Sequence, residues 1–380
     1  MRQTLFRIRL DDIWSLEPVG GVTAVGLGNI VLLLWLLVAL KWMFGTLHTS
    51  GINPQQLPSL LTWVGSAVVV LLVGGWLIPD GVTSIPVFGY GFMLFLGFFT
   101  AAWSAARRAR RVGLEGDLIW NLAMWIMVSG ILGARLFYVI QYRDRVFAGK
   151  TGFERVTALI NLPDGGLVLY GGVICALIGF FLFCRRNQVK PLLMADVIMP
   201  SFFVGLAFGR LGCLLNGCCY GDPSHLPWAV QFPNPSVPFS ALVGRGFLDE
   251  NALATFPLHP TQIYSSLNAL LLAFLTASYF RHRRQNGAVL ALSMLLYPLT
   301  RFVIEFLRGD EIGRLGTSLT ISQWVSLGLF SIGLVFTGWL NRHAVPATLT
   351  AAKSDDPHTV SSKPRPVEQR APKVSSGNRG

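Results

Sequence analysis

The chain alternates long apolar blocks with short polar ones. Nine apolar blocks, at about 26–44, 62–79, 86–106, 117–140, 167–184, 192–215, 262–280, 288–307 and 319–340, come close to the roughly 20 residues an α-helix needs to cross a bilayer. Gly and Pro interrupt 167–184 and 192–215 and blur their limits. The pattern predicts an all-α polytopic membrane protein: a seven-helix core over 86–340, preceded by an N-terminal extension, 1–85, that carries two further spans. The opening stretch, MRQTLFRIRLDDIW, is amphipathic and too polar for the apolar region of a cleavable signal peptide. The long segment 216–261, with its Pro, Gly and aromatic residues, predicts a small folded cap (222–258) over one membrane face. The end of the chain, 341–380, is rich in Ser, Pro, Lys and Arg and buries too little apolar surface to fold, so a disordered cytoplasmic tail is expected. No internal repeat is visible.

Composition agrees with this picture. Only 13% of residues are charged and mean hydropathy is +0.53, whereas a soluble domain would carry about a quarter charged residues. The net charge of +12 raises the question of nucleic acid. The basic residues answer it: they come as short runs between apolar blocks, RRARR (107–111), CRRNQVK (184–190) and RHRR (281–284). Such runs mark the cytoplasmic side of membrane spans and favour anionic headgroups, so membrane lipids and no nucleic acid are the expected partners. With alternating spans, these runs and the tail share one side. The loops 79–86, 141–166, 216–261 and 308–318 then lie on the opposite, periplasm-like side of a bacterial cytoplasmic membrane. The first two spans fit this rule less well, because they place the three arginines of residues 1–10 outside.

Ionisable residues inside spans cost several kcal/mol unless paired or hydrated, which makes them candidate functional groups. YPLTRFVIEFLR (297–308) puts Tyr297, Arg301, Glu305 and Arg308 on one helical face, with Pro298 able to loosen its start. Spacing alone leaves two readings open, an internal salt bridge or an anion site that Glu305 orients. GRLGCLLNGCCYG (209–221) buries Arg210 among glycines that permit close backbone approach, and Asn216 adds a neutral hydrogen-bonding group near the outer surface. Here the alternative is helix packing with Arg210 snorkelling. FPLHPTQIY (256–264) brings His259, Gln262 and Tyr264 to the start of a span, where each also fits an ordinary structural role. Arg135, Tyr90 and Tyr170 in GGLVLYGG (165–172) are weaker candidates that packing alone would explain.

Two buried arginines at one membrane face suit a phosphate, because guanidinium is permanently charged and presents a planar fork of donors. A phospholipid headgroup is the phosphate at that depth. If the phosphate ester leaves, the arginines stabilise its developing charge. The chain has no G-x-S-x-G elbow, Walker loop or metal-ligand spacing, so the nucleophile is expected from a second substrate and no cofactor or metal is expected. Cys175 and Cys184 read as small hydrophobes. Cys213, Cys218 and Cys219 gather near one helix end, where a disulfide would require an oxidising compartment.

These motifs resemble the prolipoprotein diacylglyceryl transferase family. GRLGCLLNGCCYG resembles its signature, HPTQIY its His-Pro-Ser/Thr-Gln-hydrophobic-Tyr segment, and YPLTRFVIEFLR its Tyr-x3-Arg-x3-Glu-x2-Arg helix. YGFMLFLGF (90–98) resembles the first core helix and LTISQWVSL (319–327) the start of the last, so the likeness runs in family order over about 86–340. The resemblance implies transfer of the sn-1,2-diacylglyceryl group from phosphatidylglycerol to the lipobox cysteine of a preprolipoprotein, giving a thioether and glycerol phosphate. By position it makes Arg210 and Arg301 the two essential arginines, with Glu305 and Tyr297 beside them in catalysis. Tyr90, Asn216, Gly221, Tyr170, Gly171, Gly172, His259, Gln262 and Arg308 become the substrate-binding residues. There are three departures: Cys213 stands where the signature has Asn, Cys218 where many members have Glu, and Tyr170 where the family has a His proposed as a base. Tyr170 is a poor base at neutral pH, so either another group such as His259 helps to deprotonate the thiol, or that His is not essential as a base, or the chain is a weak or diverged member; the intact arginines and Tyr/Glu helix favour the second. The alternative from another class is a non-catalytic binder or transporter of anionic phospholipid on the same fold.

Overall fold

The structure is a computed structural model that describes residues 4–9, 22–30, 84–149, 151–160, 166–309 and 316–343, with a few single positions besides. The spans expected at 26–44 and 62–79 and the tail expected over 341–380 lie almost wholly outside the described residues.

Three short strands come first: β1 (Thr4–Arg9), β2 (Ala24–Gly26) and β3 (Ser84–Phe88). Among the described residues after β3 there are ten helices: α1 (Gly89–Arg110), α2 (Gly116–Gln141), α3 (Arg143–Phe147), α4 (Phe153–Ile160), α5 (Leu169–Arg186), α6 (Pro191–Asn216), α7 (Val237–Gly244), α8 (Thr261–His282), α9 (Ala288–Glu305) and α10 (Ile321–Arg342). Seven of them, α1, α2, α5, α6, α8, α9 and α10, are long and apolar enough to cross a membrane. They match the seven expected core spans to within a few residues. Their outer faces carry exposed large apolar side chains such as Leu132, Phe274 and Val335. A bilayer covers such a surface, and helical hydrogen bonding satisfies the backbone there.

Lipid tails are as apolar as leucine, so the helices associate through close backbone approach. A Cβ at Gly133 of α2 would fall 2.6 Å from the Gly171 carbonyl oxygen of α5. A Cβ at Gly97 of α1 would fall 3.2 Å from the Gly205 carbonyl oxygen of α6. Polar pairs add to this: Ser266 Oγ donates to the Ala207 carbonyl at 3.0 Å, and Asn268 Nδ2 to Thr300 Oγ1 at 3.0 Å. At the end that carries the basic runs, buried Asp196 of α6 accepts from the amides of Gly287, Val289 and Leu290 at 2.8, 3.0 and 3.0 Å. It thereby caps the start of α9, and Arg283 lies 3.5 Å from the same carboxylate.

The sheet was not expected from sequence. Its order is β2-β1-β3, with β1 parallel to β2 and antiparallel to β3. β1 is short and its antiparallel partner lies some 80 residues along the chain, so no local pattern announces the pairing. β3 leads directly into α1, and Phe6 meets Phe92 edge-on at 6.1 Å. The seven candidate spans are all helical, and the segment expected as a cap contains the short helix α7. Ser236 caps α7 by accepting from the Phe239 amide, and Tyr220, Phe232, Leu242 and Leu258 form a small core beneath.

Candidate active site

Arg301 and Glu305 lie one turn apart on α9, so their side chains meet. Arg301 Nη2 is 2.6 Å from Glu305 Oε2, and Glu305 is only 2% exposed. Arg308 lies just past the end of α9 and reaches the same oxygen at 3.4 Å. Thr320 Oγ1 donates to Glu305 Oε1 at 3.0 Å. That threonine also caps α10 in a reciprocal box with Gln323, so the carboxylate locks two spans together. Ser322 accepts from Arg301 Nη2 at 3.3 Å. Arg301 Nη1 is buried and has no hydrogen-bond partner among the described residues.

α6 supplies the second arginine. Arg210 is half-buried and, with Arg308 and the Tyr297 phenol, acts electrostatically on Arg301. Tyr90, in the first turn of α1, lies within range of Arg210. Gly212 permits this approach: a Cβ there would stand 3.1 Å from the Tyr90 ring. Two guanidinium groups thus hold one buried carboxylate, and a third, from Arg210, lies within electrostatic range of Arg301. The surplus positive charge and the unpartnered nitrogen call for an anion.

The end of α6 and the start of α8 frame this centre. Gly217 ends α6 at φ 77°, the left-handed region open to glycine, and turns the chain back. Asn216 interacts with the Cys218 side chain. Gly221 donates its amide to the His259 carbonyl at 3.0 Å, and a Cβ there would lie 2.6 Å from the Leu307 carbonyl oxygen. Asp222 donates to that same Leu307 carbonyl at 3.0 Å. Gln262 is wholly buried, and its Nε2 donates to the Cys218 carbonyl at 2.9 Å; Thr261 Oγ1 donates to the Cys219 carbonyl at 2.6 Å. His259 is half-buried with Nδ1 3.4 Å from the Tyr264 hydroxyl, which accepts from Trp228 Nε1 at 2.7 Å. All these groups sit at one end of the bundle, and the arginine runs closing α1, α5 and α8 sit at the other.

A model of the prolipoprotein diacylglyceryl transferase family matches residues 81–339. The chain belongs to this family. Among similar proteins, the phosphatidylglycerol–prolipoprotein diacylglyceryl transferase of Clostridium tetani is 36% identical over 250 residues, covering 66% of this chain and 92% of the relative. The transferase of the same name from Rhodopirellula baltica is 33% identical, covering 67% of this chain and 73% of its own. A second such transferase of Clostridium perfringens is 30% identical, covering 66% and 90%. The family match runs from just before β3 to the end of α10, so it contains every site residue described above.

Within this transferase chain, some residues expected at the site also make packing contacts. Gly171 and Gly172 lie at the crossing of α5 with α2, opposite Gly133 and Gly130. Tyr170 stands beside them, 60% exposed, on a helix that packs chiefly against α2. Arg135 donates to the carbonyls of Leu159, Gly166 and Ala158, and so ties α2 to α4 and to the start of α5. Thr320 and Ser322 were missed from sequence. Neutral hydroxyls at a span's start carry no energetic signal there, and only the contact with Glu305 and Arg301 reveals them. The thiols of Cys213, Cys218 and Cys219 were read as a loose cluster; their sulfurs all lie within 4.8 Å of one another.

Proposed function

We propose that this transferase moves the sn-1,2-diacylglyceryl group of phosphatidylglycerol to the lipobox cysteine of a preprolipoprotein, forming a thioether and releasing glycerol phosphate. The observation that carries the reading is the buried, unpartnered Arg301 Nη1 beside Arg210. A phosphate oxygen would satisfy that donor, and the surplus positive charge would stabilise the departing phosphate ester. Glu305, held by Thr320 and Arg308, fixes the Arg301 fork, while Tyr297 and Tyr90 flank the headgroup. The acceptor sulfur attacks the glyceryl carbon that bears the phosphate; the carbon–oxygen bond breaks and the thiol proton is lost to solvent or to a nearby base. The positive field favours the thiolate form, and half-buried His259, at the seam beside Gly221, is an imidazole candidate for the proton.

Two spaces support a lipid donor and a peptide acceptor. An apolar groove of about 410 Å³, lined by Leu94, Phe98, Ile126, Ile198, Phe202 and Leu206 among others, runs between α1, α2 and α6. It ends one helical turn from Tyr90 and Arg210, a suitable depth for an acyl chain. A cavity of about 650 Å³ under the cap, bordered by Tyr220, Gly221, Phe247 and Gly309, adjoins the turn that carries Arg308. The arginine runs at the opposite end of the bundle support a cytoplasmic membrane location with the site at the periplasmic face.

A lipid binder without chemistry would use the same arginines. Purified protein incubated with phosphatidylglycerol and a lipobox peptide distinguishes the two: a thioether product is expected, and lipid binding without product would support the binder instead.

A further inference from the structure

We propose that Cys213, Cys218 and Cys219 form a tris-thiolate site for a thiophilic d10 divalent cation of the zinc class, beside Tyr90 at the mouth of the arginine site. Tetrahedral zinc–thiolate bonds of about 2.3 Å place sulfurs about 3.8 Å apart. The three sulfurs here are already within 4.8 Å of one another, so binding needs only side-chain adjustment. The ligand set contains sulfur and no carboxylate, which selects soft cations over magnesium or calcium.

The backbone holds these thiols in place without help from the sulfurs. The turn at Gly217 folds the chain back so that the Cys218 amide donates to the Cys213 carbonyl at 3.1 Å. Gln262 and Thr261 then hold the carbonyls of Cys218 and Cys219, and Cys219 itself sits at φ 61°, a conformation that L-residues seldom adopt. All three cysteines are half-buried, so an ion can reach them while their neighbours restrain them. A disulfide would use two sulfurs and leave the third unused; a cation uses all three. Three thiolates and a divalent ion carry one net negative charge, which Arg210, within electrostatic range of the same Tyr90 phenol as the cysteines, would help to balance. The fourth tetrahedral position is left for an outside ligand.

The test uses full-length protein in detergent, chelator-stripped and kept reduced without oxygen. Titration with Co²⁺ is expected to give sulfur-to-cobalt charge-transfer absorption and intense visible bands of tetrahedral cobalt at one equivalent, displaced by Zn²⁺. Cys218→Ser and Cys219→Ser should lose these bands, while Cys184→Ser and Arg301→Ala keep them. Because Arg301→Ala removes transfer but not the thiols, failure of the transferase reading and failure of the metal site are separately visible. Added Zn²⁺ should also raise the unfolding temperature of the reduced parent protein, a measurement that needs no variant. Absence of both the bands and the thermal shift, bands that survive both serine substitutions, or a disulfide among these cysteines in protein isolated from membranes without reductant would each overturn the site.

Discussion

The bundle buries an arginine–carboxylate pair at each end, and the two are wired differently. At the end with the basic runs, Asp196 accepts three backbone amides and faces Arg283, whose guanidinium carbon lies 3.7 Å from the centre of the Phe280 ring. One carboxylate meets one cation, and its remaining capacity goes to the start of α9. At the other end, Glu305 is shared by Arg301 and Arg308, and Arg210 adds a third positive charge. The first pair is balanced in charge and serves the fold, although Arg283 Nη2 is also buried without a hydrogen-bond partner among the described residues. The second is unbalanced, and the surplus is the binding capacity for an anion.

The contrast can be broken at either end. Asp196→Ala leaves Arg283 buried without its counter-charge and uncaps α9. A loss of about 3–5 kcal/mol is expected, read as a lower unfolding temperature in detergent, with transfer per folded molecule unchanged. Parental stability in that variant would contradict the structural role. Arg301→Ala should cost about 10²–10³-fold in the rate of thioether formation while leaving the unfolding temperature near that of the parent. Arg301→Lys should not restore the rate, because a point charge cannot reproduce the fork; normal turnover in either variant would refute the phosphate role. Thr320→Val removes both a helix cap and a donor to Glu305, and about 1 kcal/mol of stability should go with it, measured by thermal unfolding. Tyr170→Phe should change the transfer rate no more than a few-fold, and Tyr170→His should bring no large gain. A gain of orders of magnitude from the histidine would mean that a base is missing here.

The sequence made the spans legible because crossing a bilayer demands a length of apolar chain that nothing else requires. It made Arg301, Glu305 and Arg210 legible for the complementary reason, that charge in a span is costly. What it concealed depends on long-range closure. Thr320 and Ser322 become site residues only when α10 packs on α9. β1 becomes a strand only beside β3. Gly171 and Gly172 came from the family resemblance as binding residues, and the packing they also serve, at the close crossing that α5 makes with Gly130 and Gly133, was not visible in the sequence. Gln262 was expected at the site by resemblance, and the contact it makes, its amide on the Cys218 carbonyl, could not be read from the sequence. The thiol trio lacks zinc-like spacing along the chain because the reversal at Gly217, rather than linear distance, brings Cys218 and Cys219 back toward Cys213.

Gly221 has a mechanical consequence. Its bare α-carbon lets three backbone segments knit into one seam, with Gly221 bonded to His259, and Asp222 bonded both to His259 and to Leu307. Arg245 extends the seam by donating to the Gly309 carbonyl at 3.0 Å. The roof over the membrane and the turn that grips Glu305 are therefore stitched at the same place. A substitution that opens this seam is therefore expected to loosen the turn that carries Arg308 as well.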